Sequence, residues 1–288
     1  MTGQALSRLT LTALVLVAIT GCRDEQKIKA DQDALVRTSL ENLITVKGGE
    51  FQMGDFGRLI DEHLPFNPDQ DTPLHSVTLS DFRIGKYRVT WGEFNRWLSI
   101  QGRGKTEYYQ QTMDDKDPDF QSDKILFGDN YPASVSWQDA RDYCQWLGKN
   151  THRNMDLPTE AQWEYAARSR GRLFIFANAD NKNYVWNDKN RNYASSSKKK
   201  PVGSFPANPL GLYDMMGNGA DWVKDWYAAD YYLHSPEKDP QGPESGKKKS
   251  VRGSTGSGHT LSIERSSLKP DSEWGSEFRC VENSPLSN

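Results

Sequence analysis

The chain has 288 residues, a formal net charge of −3 at pH 7 and an apolar fraction of only 35%. So mild a charge imbalance excludes the basic footprint of a nucleic-acid-binding protein, while the length allows one large domain or two small ones. Nine Trp and twelve Tyr in so polar a chain predict a loop-rich fold whose core contains a few large aromatic side chains.

The N-terminal segment is predicted to be a cleaved signal peptide. Leu9 to Ile19 form an almost wholly apolar run behind Arg8, which is too short to span a bilayer and matches a signal-peptide core. The run ends in Ile19-Thr20-Gly21-Cys22, which resembles the lipobox of bacterial lipoproteins. We therefore predict a signal peptide over residues 1–21 and lipidation of Cys22; an ordinary helix with a chance cysteine is the alternative.

The residue after Cys22 bears on where the protein is anchored. In Gram-negative lipoproteins an Asp at that position favours retention in the inner membrane, whereas this chain has Arg23. The resemblance therefore implies the periplasmic face of the outer membrane in the cell envelope. The polar residues 22–43 are predicted to form the lipidated tether, with at most one short helix, and residues 44–288 the globular domain.

Short strands are predicted at the start of the globular domain. Ile44-Thr45-Val46 is a β-branched run closed by Gly48-Gly49, residues 50–54 alternate in polarity, and Val77 to Tyr87 alternates again. Period-two alternation is typical of half-buried strands.

Three helices follow, each behind a good capping residue. Thr90, Ser136 and Thr159 are predicted N-caps for helices over residues 91–98, 137–147 and 160–169, with Gly148 ending the second. Residues 102–130 and 178–200 are mostly polar and are predicted to be loops. The two lysine runs at 198–200 and 247–249 are predicted to be solvated loop.

Several segments, taken together and in order, are more specific than any one of them. They are Gly48 to Gly54, Val135-Ser136-Trp137, Leu157 to Arg168, Pro201 to Pro206, Gly211 to Asn218, Val251-Arg252-Gly253 and Phe278-Arg279-Cys280. From about Ile44 to Val281 the chain resembles the formylglycine-generating enzyme, or sulfatase-modifying factor, family. The resemblance implies a single compact, loop-rich α+β domain related to C-type lectin-like folds.

Lipidation of Cys22 would leave two of the three cysteines, Cys144 and Cys280. No CxxC spacing occurs, so neither a zinc site nor a thioredoxin-like motif is predicted. The family resemblance implies a disulfide between the helix cysteine and the cysteine after Phe-Arg, which are Cys144 and Cys280 here. Two separate buried thiols are the alternative.

A calcium site is predicted at a glycine-rich turn. Asp214 and Asp221 flank Gly217 and Gly219, whose carbonyls can point inward because glycine adopts unusual dihedrals, and such hard oxygen ligands suit Ca²⁺. In the family these four positions hold calcium, with Glu more usual at the last; two acids exposed on a turn are the alternative. A second family site, with an Asn like Asn192, is not expected because the following stretch is short and lysine-rich.

The family's chemistry oxidises a substrate cysteine to formylglycine with O₂ at a copper(I) ion held by two thiolates. Copper(I) requires soft thiolates, yet residues 252–265, where those cysteines belong, contain none. Ser257 and Ser262 stand roughly in their place, and hydroxyls do not hold copper(I). The family's Asn-Val-Trp-Glu-Trp is also changed, to Asn218-Gly219-Ala220-Asp221-Trp222, which removes an aromatic wall beside the groove.

Relatives in the superfamily use iron held by histidines, and such sites need two His and a carboxylate on one face. The five histidines are scattered, at His63, His75, His152, His234 and His259. Only His259, with Glu264 near it, lies where the groove should be, so these two residues are the candidates for a catalytic metal site. Neither copper nor iron is expected as a cofactor.

The sequence therefore favours a catalytically inactive, lipid-anchored protein that binds another protein. The partner would be a component of an envelope machine, or a toxin that the chain neutralises as an immunity factor. The alternative is an iron- or copper-dependent oxidoreductase of the same superfamily that acts on a protein or a small molecule.

Overall fold

A computed structural model describes residues 25–60, 73–117, 123–177, 199–253, 261–272 and 274–283. The predictions made for Cys22, His63, Asn192, Ser257 and His259 lie outside the described residues. Within them, no helix is both long enough and apolar enough to cross a membrane.

The strands of the described residues form three sheets. An antiparallel sheet has the order β1-β4-β9-β5, a second pairs β2 with β3, and a third has the order β6-β7-β8. The strands are β1 (Leu43–Val46), β2 (Gly49–Met53), β3 (His75–Leu79), β4 (Phe82–Gly85), β5 (Met155–Asp156), β6 (Asp221–Trp226), β7 (Lys249–Arg252), β8 (Arg265–Leu268) and β9 (Val281–Asn283). The alternation predicted over Val77 to Tyr87 is thus divided between β3 and β4, because each pairs with a different strand.

The helices of the described residues confirm the predicted caps. Thr90, Ser136 and Thr159 each accept a hydrogen bond from the backbone N–H three residues on. The α-helices are α1 (residues 25–41), α2 (Gly57–Ile60), α3 (Trp91–Ile100), α4 (Glu107–Asp114), α5 (Trp137–Thr151) and α6 (Glu160–Ala167), and Asp123–Phe127 and Tyr231–Leu233 are 3₁₀-helices. The α+β class is confirmed.

Helix α5 runs past Gly148, where it was predicted to end. His152 caps it instead, in the left-handed conformation with φ of 54°. Gly148 lies against the returning chain, and a Cβ there would meet the Arg153 carbonyl oxygen at 2.7 Å. Its small size therefore permits a close approach and does not stop the helix.

The folded body begins before the boundary predicted at Ile44. Helix α1 occupies most of the segment expected to be a tether, and Leu35 on it is only 1% exposed. The apolar residues Val36 and Leu40 pack beside it, so the weak helical spacing of this segment marks a docked face. Helix α4 likewise lies in the stretch predicted to be loop, where Tyr109 packs on Phe127 with ring centroids 5.6 Å apart.

One lysine of the two predicted solvated runs is buried. Lys249 opens β7 and is 3% exposed, with its Nζ 3.8 Å from the ring centroid of Trp137 and 3.7 Å from that of Trp226. The ammonium also donates to the Lys224 carbonyl at 2.9 Å. Burial lowers the pKa of Lys249 to about 8, and the two indole faces compensate part of the lost hydration.

The core contains several large aromatic side chains, as the composition predicted. Tyr143 on α5 packs edge-on against Phe278, with centroids 5.5 Å apart, and Phe94 on α3 lies within 6.3 Å of both rings. Next to this cluster a disulfide joins Cys144 on α5 to Cys280 just before β9, with Cα atoms 5.4 Å apart. The predicted pairing is confirmed, and the alternative of two free thiols is wrong.

Replacing both Cys144 and Cys280 by Ala is expected to lower the free energy of unfolding by roughly 2–5 kcal/mol, because the cross-link closes a long loop in the unfolded chain. Urea unfolding with and without reductant measures this. Reductant should destabilise the wild type and leave the double variant unchanged. Equal unfolding midpoints for oxidised wild type and double variant would contradict it.

Candidate functional site

Helix α6 carries charged side chains into the interior. Glu160, Glu164 and Arg168 follow one another at four-residue intervals, and none is more than 2% exposed. A charge buried without a partner is strongly unfavourable. The Leu157 to Arg168 motif must therefore be complemented from elsewhere in the fold.

The complement is a continuous set of ion pairs that we call the α6 network: Glu160, Glu164, Arg168, Arg252 and Arg265. Glu160 accepts from Arg265 at 2.7 and 2.9 Å and from Arg252 at 3.0 Å. Glu164 accepts from Arg252 at 2.8 Å and from Arg168 at 2.7 Å. Every carboxylate thus has two guanidinium partners, and two strands are attached to one helix.

The α6 network also reaches the segment between Arg252 and Arg265. Arg252 ends β7 and faces Arg265 on β8 in register, so the chain between them leaves and re-enters the sheet at this point. Arg252 donates to the Ser262 carbonyl at 2.7 Å, and the Ser262 hydroxyl donates to the Phe174 carbonyl at 2.6 Å. Both ends of the segment that would carry the reactive residues are therefore held by the framework.

Two carboxyl groups near the network have displaced pKa values in opposite directions. Burial alone would raise the pKa of Glu160, but Arg265 and Arg252 outweigh it and lower this pKa to about 2. Burial and then the adjacent Glu160 charge raise the pKa of Asp225 to about 7, although the Glu160 N–H donates to its carboxylate at 2.9 Å. Asp225 was not a candidate from the sequence, because nothing local distinguishes it.

A second buried centre is organised by Asp221 at the start of β6. Its carboxylate accepts from Arg88 at 2.9 Å, from Arg279 at 3.1 Å and from the Trp163 indole N–H at 2.8 Å. The carboxylate and both guanidiniums are fully buried. We call these four residues the Asp221 centre; Trp163 precedes Glu164 on α6, so the centre adjoins the α6 network.

Three of the four predicted calcium ligands belong to this arrangement. The carbonyls of Gly217 and Gly219 accept from Arg88 at 2.9 and 3.0 Å, in addition to its contact with Asp221. Both acids are buried, so the alternative of two exposed acids does not hold. Because a guanidinium already bonds these oxygens, the residues present do not fit a resident calcium ion.

The catalytic candidates are only partly described. Glu264 accepts from the backbone N–H of Leu261 at 2.9 Å. The described histidines belong to separate elements: His75 packs on Tyr232, His152 ends α5, and His234 packs on Tyr231. In the described ranges, no group of three or more His, Cys, Asp or Glu is placed to hold a metal.

An exposed surface of apolar side chains lies at helix α4. Trp274 is 65% exposed and packs edge-on against Tyr108 with centroids 5.4 Å apart, and Met113 and Ile125 are also exposed. We call these four residues the α4 surface. Beside it a cavity of about 240 Å³ is lined by polar groups that include Glu107, Ser136, Asp139 and Ser272. Sequence reasoning missed this surface, because its residues come from three separate segments.

The chain matches a protein family and several known proteins. A family model described as the "Sulfatase-modifying factor enzyme 1-like domain" matches residues 29–283. The chain is 33% identical over 219 residues to "Serine/threonine-protein kinase pkn1" of Chlamydia caviae, which is 73% of this chain and 32% of that protein. The chain therefore spans about a third of that relative's length.

Two further similarities cover nearly whole proteins. The "Formylglycine-generating enzyme" of Streptomyces coelicolor is 29% identical over 303 residues, which cover 87% of this chain and 92% of the enzyme. The solved structure of PvdO from Pseudomonas aeruginosa superposes with a TM-score of 0.65 at 27% identity, and covers 84% of this chain and 94% of that one.

Changing Glu164 to Gln is expected to lower the free energy of unfolding by roughly 3–5 kcal/mol, because Arg168 and Arg252 lose a buried charge partner. Chemical denaturation measures the change. The control is Lys47→Met, which breaks an exposed pair of the same 2.7 Å length with Asp81 and should have a much smaller effect. Similar effects of the two substitutions would contradict the role of the network.

Changing Asp225 to Asn is expected to stabilise the protein at pH 8 by a few kcal/mol, on the order of the linkage free energy. Because the pKa of Asp225 is raised in the folded protein, the folded state keeps a proton that the unfolded chain has released. The contribution of this proton to stability is complete below the unfolded pKa of Asp225 and is lost as pH rises through about 7. Asn mimics the neutral form and removes that loss. Unfolding at pH 5 and pH 8 tests it, with exposed Asp230→Asn as control; an unchanged pH slope in Asp225→Asn would contradict it.

Proposed function

The chain belongs to the sulfatase-modifying factor family, and on that premise we propose that it is a non-catalytic protein-binding lipoprotein of the cell envelope. Its fold is retained and its copper chemistry is lost. The lipid on Cys22 would anchor it, on the periplasmic face of the outer membrane.

The observation that carries the proposal is the absence of thiols between Arg252 and Arg265. Formylglycine formation by copper(I) needs two soft ligands there. The Ser262 hydroxyl, one of the two groups in their place, is buried and bonded to the Phe174 carbonyl. The nearby carboxylates Glu160 and Glu164 are occupied by ion pairs, so they support the fold and not proton transfer.

The α4 surface supports a role in protein recognition. An exposed Trp packed on a half-buried Tyr, with neighbouring apolar groups, is typical of the centres of protein interfaces, and the cavity beside them contributes Glu107. We infer a partner that presents apolar side chains next to a basic group, from an envelope machine or a toxin. The chlamydial relative, only a third of which is matched, supports the view that this domain serves as a module.

The test combines metal analysis with partner capture from the full-length, membrane-extracted protein. We expect substoichiometric copper and iron, no O₂ consumption, and one stoichiometric cross-linked protein partner. Trp274→Ala should weaken that capture at least about tenfold, the loss of a contact worth about 1.4 kcal/mol. Leu233→Ala is the control, because Leu233 is 71% exposed and lies outside the α4 surface.

The competing oxidoreductase would give the opposite pattern. Stoichiometric iron or copper, together with O₂ consumption that His259→Ala abolishes, would refute the binding-only function. Capture that Trp274→Ala and Leu233→Ala reduce equally would refute the α4 surface as the recognition site.

A further inference from the structure

The turn between Asp214 and Asp221 directs several oxygen atoms toward one point. Gly217 has φ of 76° and Gly219 has φ of 113°, conformations that glycine adopts readily and that turn the two carbonyls inward. A Cβ on Gly219 would also lie 2.3 Å from the Glu277 carboxylate. With the Asp221 carboxylate, the turn thus forms a cluster of negative and partly negative oxygens that requires a cation.

Arg88 supplies that cation. Three separate nitrogens of its guanidinium reach the cluster, Nε to Asp221 at 2.9 Å, Nη1 to the Gly217 carbonyl at 2.9 Å and Nη2 to the Gly219 carbonyl at 3.0 Å. The side chain has no solvent exposure. An arginine guanidinium stays protonated in proteins, so the cluster has a permanent positive charge.

Charge balance opposes an additional metal ion. The positive charges of Arg88, Arg279 and Lys199 match the negative charges of Asp214, Asp221 and Glu277, and Lys199 pairs directly with Glu277. A calcium ion needs oxygens at about 2.3–2.6 Å, and three of its four expected ligands already bond a guanidinium. Calcium would therefore have to expel a buried arginine or add two uncompensated charges to a closed site.

One atom of the turn supports the interpretation that Arg88 occupies a cation site. The Asp214 Oδ1 atom is buried and has no hydrogen-bond partner among the described residues, while Oδ2 accepts from the Gly203 N–H at 3.0 Å. Buried carboxylate oxygens are rarely left unpaired. Asp214, the fourth residue of the expected set, thus keeps one buried carboxylate oxygen that no described residue bonds.

We propose that Arg88 is the permanent structural cation of this turn, in the place of a divalent metal, so that the fold does not depend on calcium. A planar guanidinium suits the position because it offers several donors in fixed directions. It is also covalently attached, so its occupancy does not vary with ion concentration, whereas a bound metal stabilises only in proportion to its saturation. The proposal is independent of the proposed binding function.

The test compares thermal unfolding in EDTA and in calcium from about 10 μM to about 10 mM, which brackets the weak extracellular calcium modules. The wild type is expected to have the same Tm throughout, and to show no Tb³⁺ luminescence sensitised by Trp163, whose indole donates to Asp221. Arg88→Ala should lower the Tm in EDTA, and its Tm should then rise progressively with calcium, since the oxygens are retained and the cation is lost.

Two control variants make the result specific. Arg88→Met fills the space with an apolar chain, so it should be destabilised without a response to calcium. The double variant Arg88→Ala with Asp214→Asn should lose the response because a charged ligand is gone. Folded Arg88→Ala that is indifferent to calcium would overturn the proposal.

The wild-type protein tests the proposal even if the Arg88→Ala variant does not fold. Saturable calcium binding to the wild type that raises its Tm, and that Asp214→Asn abolishes, would overturn the proposal. Calcium titration without such binding would support it.

Discussion

The structure depends on the pairing of two carboxylates that helix α6 places in the interior. Glu160 and Glu164 are nearly inaccessible to solvent, and they are tolerable there only because Arg168, Arg252 and Arg265 surround them. Loss of either carboxylate would leave buried guanidiniums without their charge partner, so helix α6 and strands β7 and β8 depend on one another. A motif that is prominent in the sequence, Leu157 to Arg168, therefore encodes a framework of buried ion pairs.

The Asp221 centre connects that framework to early and late segments of the chain. Arg88 comes from the segment after β4, and Arg279 from the segment before β9, so Asp221 joins early, middle and late parts of the sequence. The neighbouring disulfide of Cys144 and Cys280 fixes the same late segment to α5. Buried ion pairs are weak evidence for net stability; their effect here is to specify a single arrangement of loops that have little regular secondary structure.

This arrangement is compatible with the proposed loss of the family's copper chemistry. The framework residues are bonded to one another, whereas the thiols that copper requires would belong to the segment between Arg252 and Arg265, whose ends the framework holds. Loss of the thiols leaves those bonds intact. In the proposed function, recognition by the α4 surface would leave the ion pairs undisturbed.

The sequence by itself determined the features that depend on residues close together in the chain. Capping by Thr90, Ser136 and Thr159 acts within one turn of helix, and the family resemblance of ordered motifs specified the α+β domain and the cysteine pair. The sequence predicted a tether where α1 lies and a solvated loop at Lys249, because the residues that pack against them are distant in the chain. Only the tertiary structure decided that Arg88 would meet Asp221, 133 residues away, since the choice between a guanidinium and a metal depends on which charge the fold brings to the same oxygens.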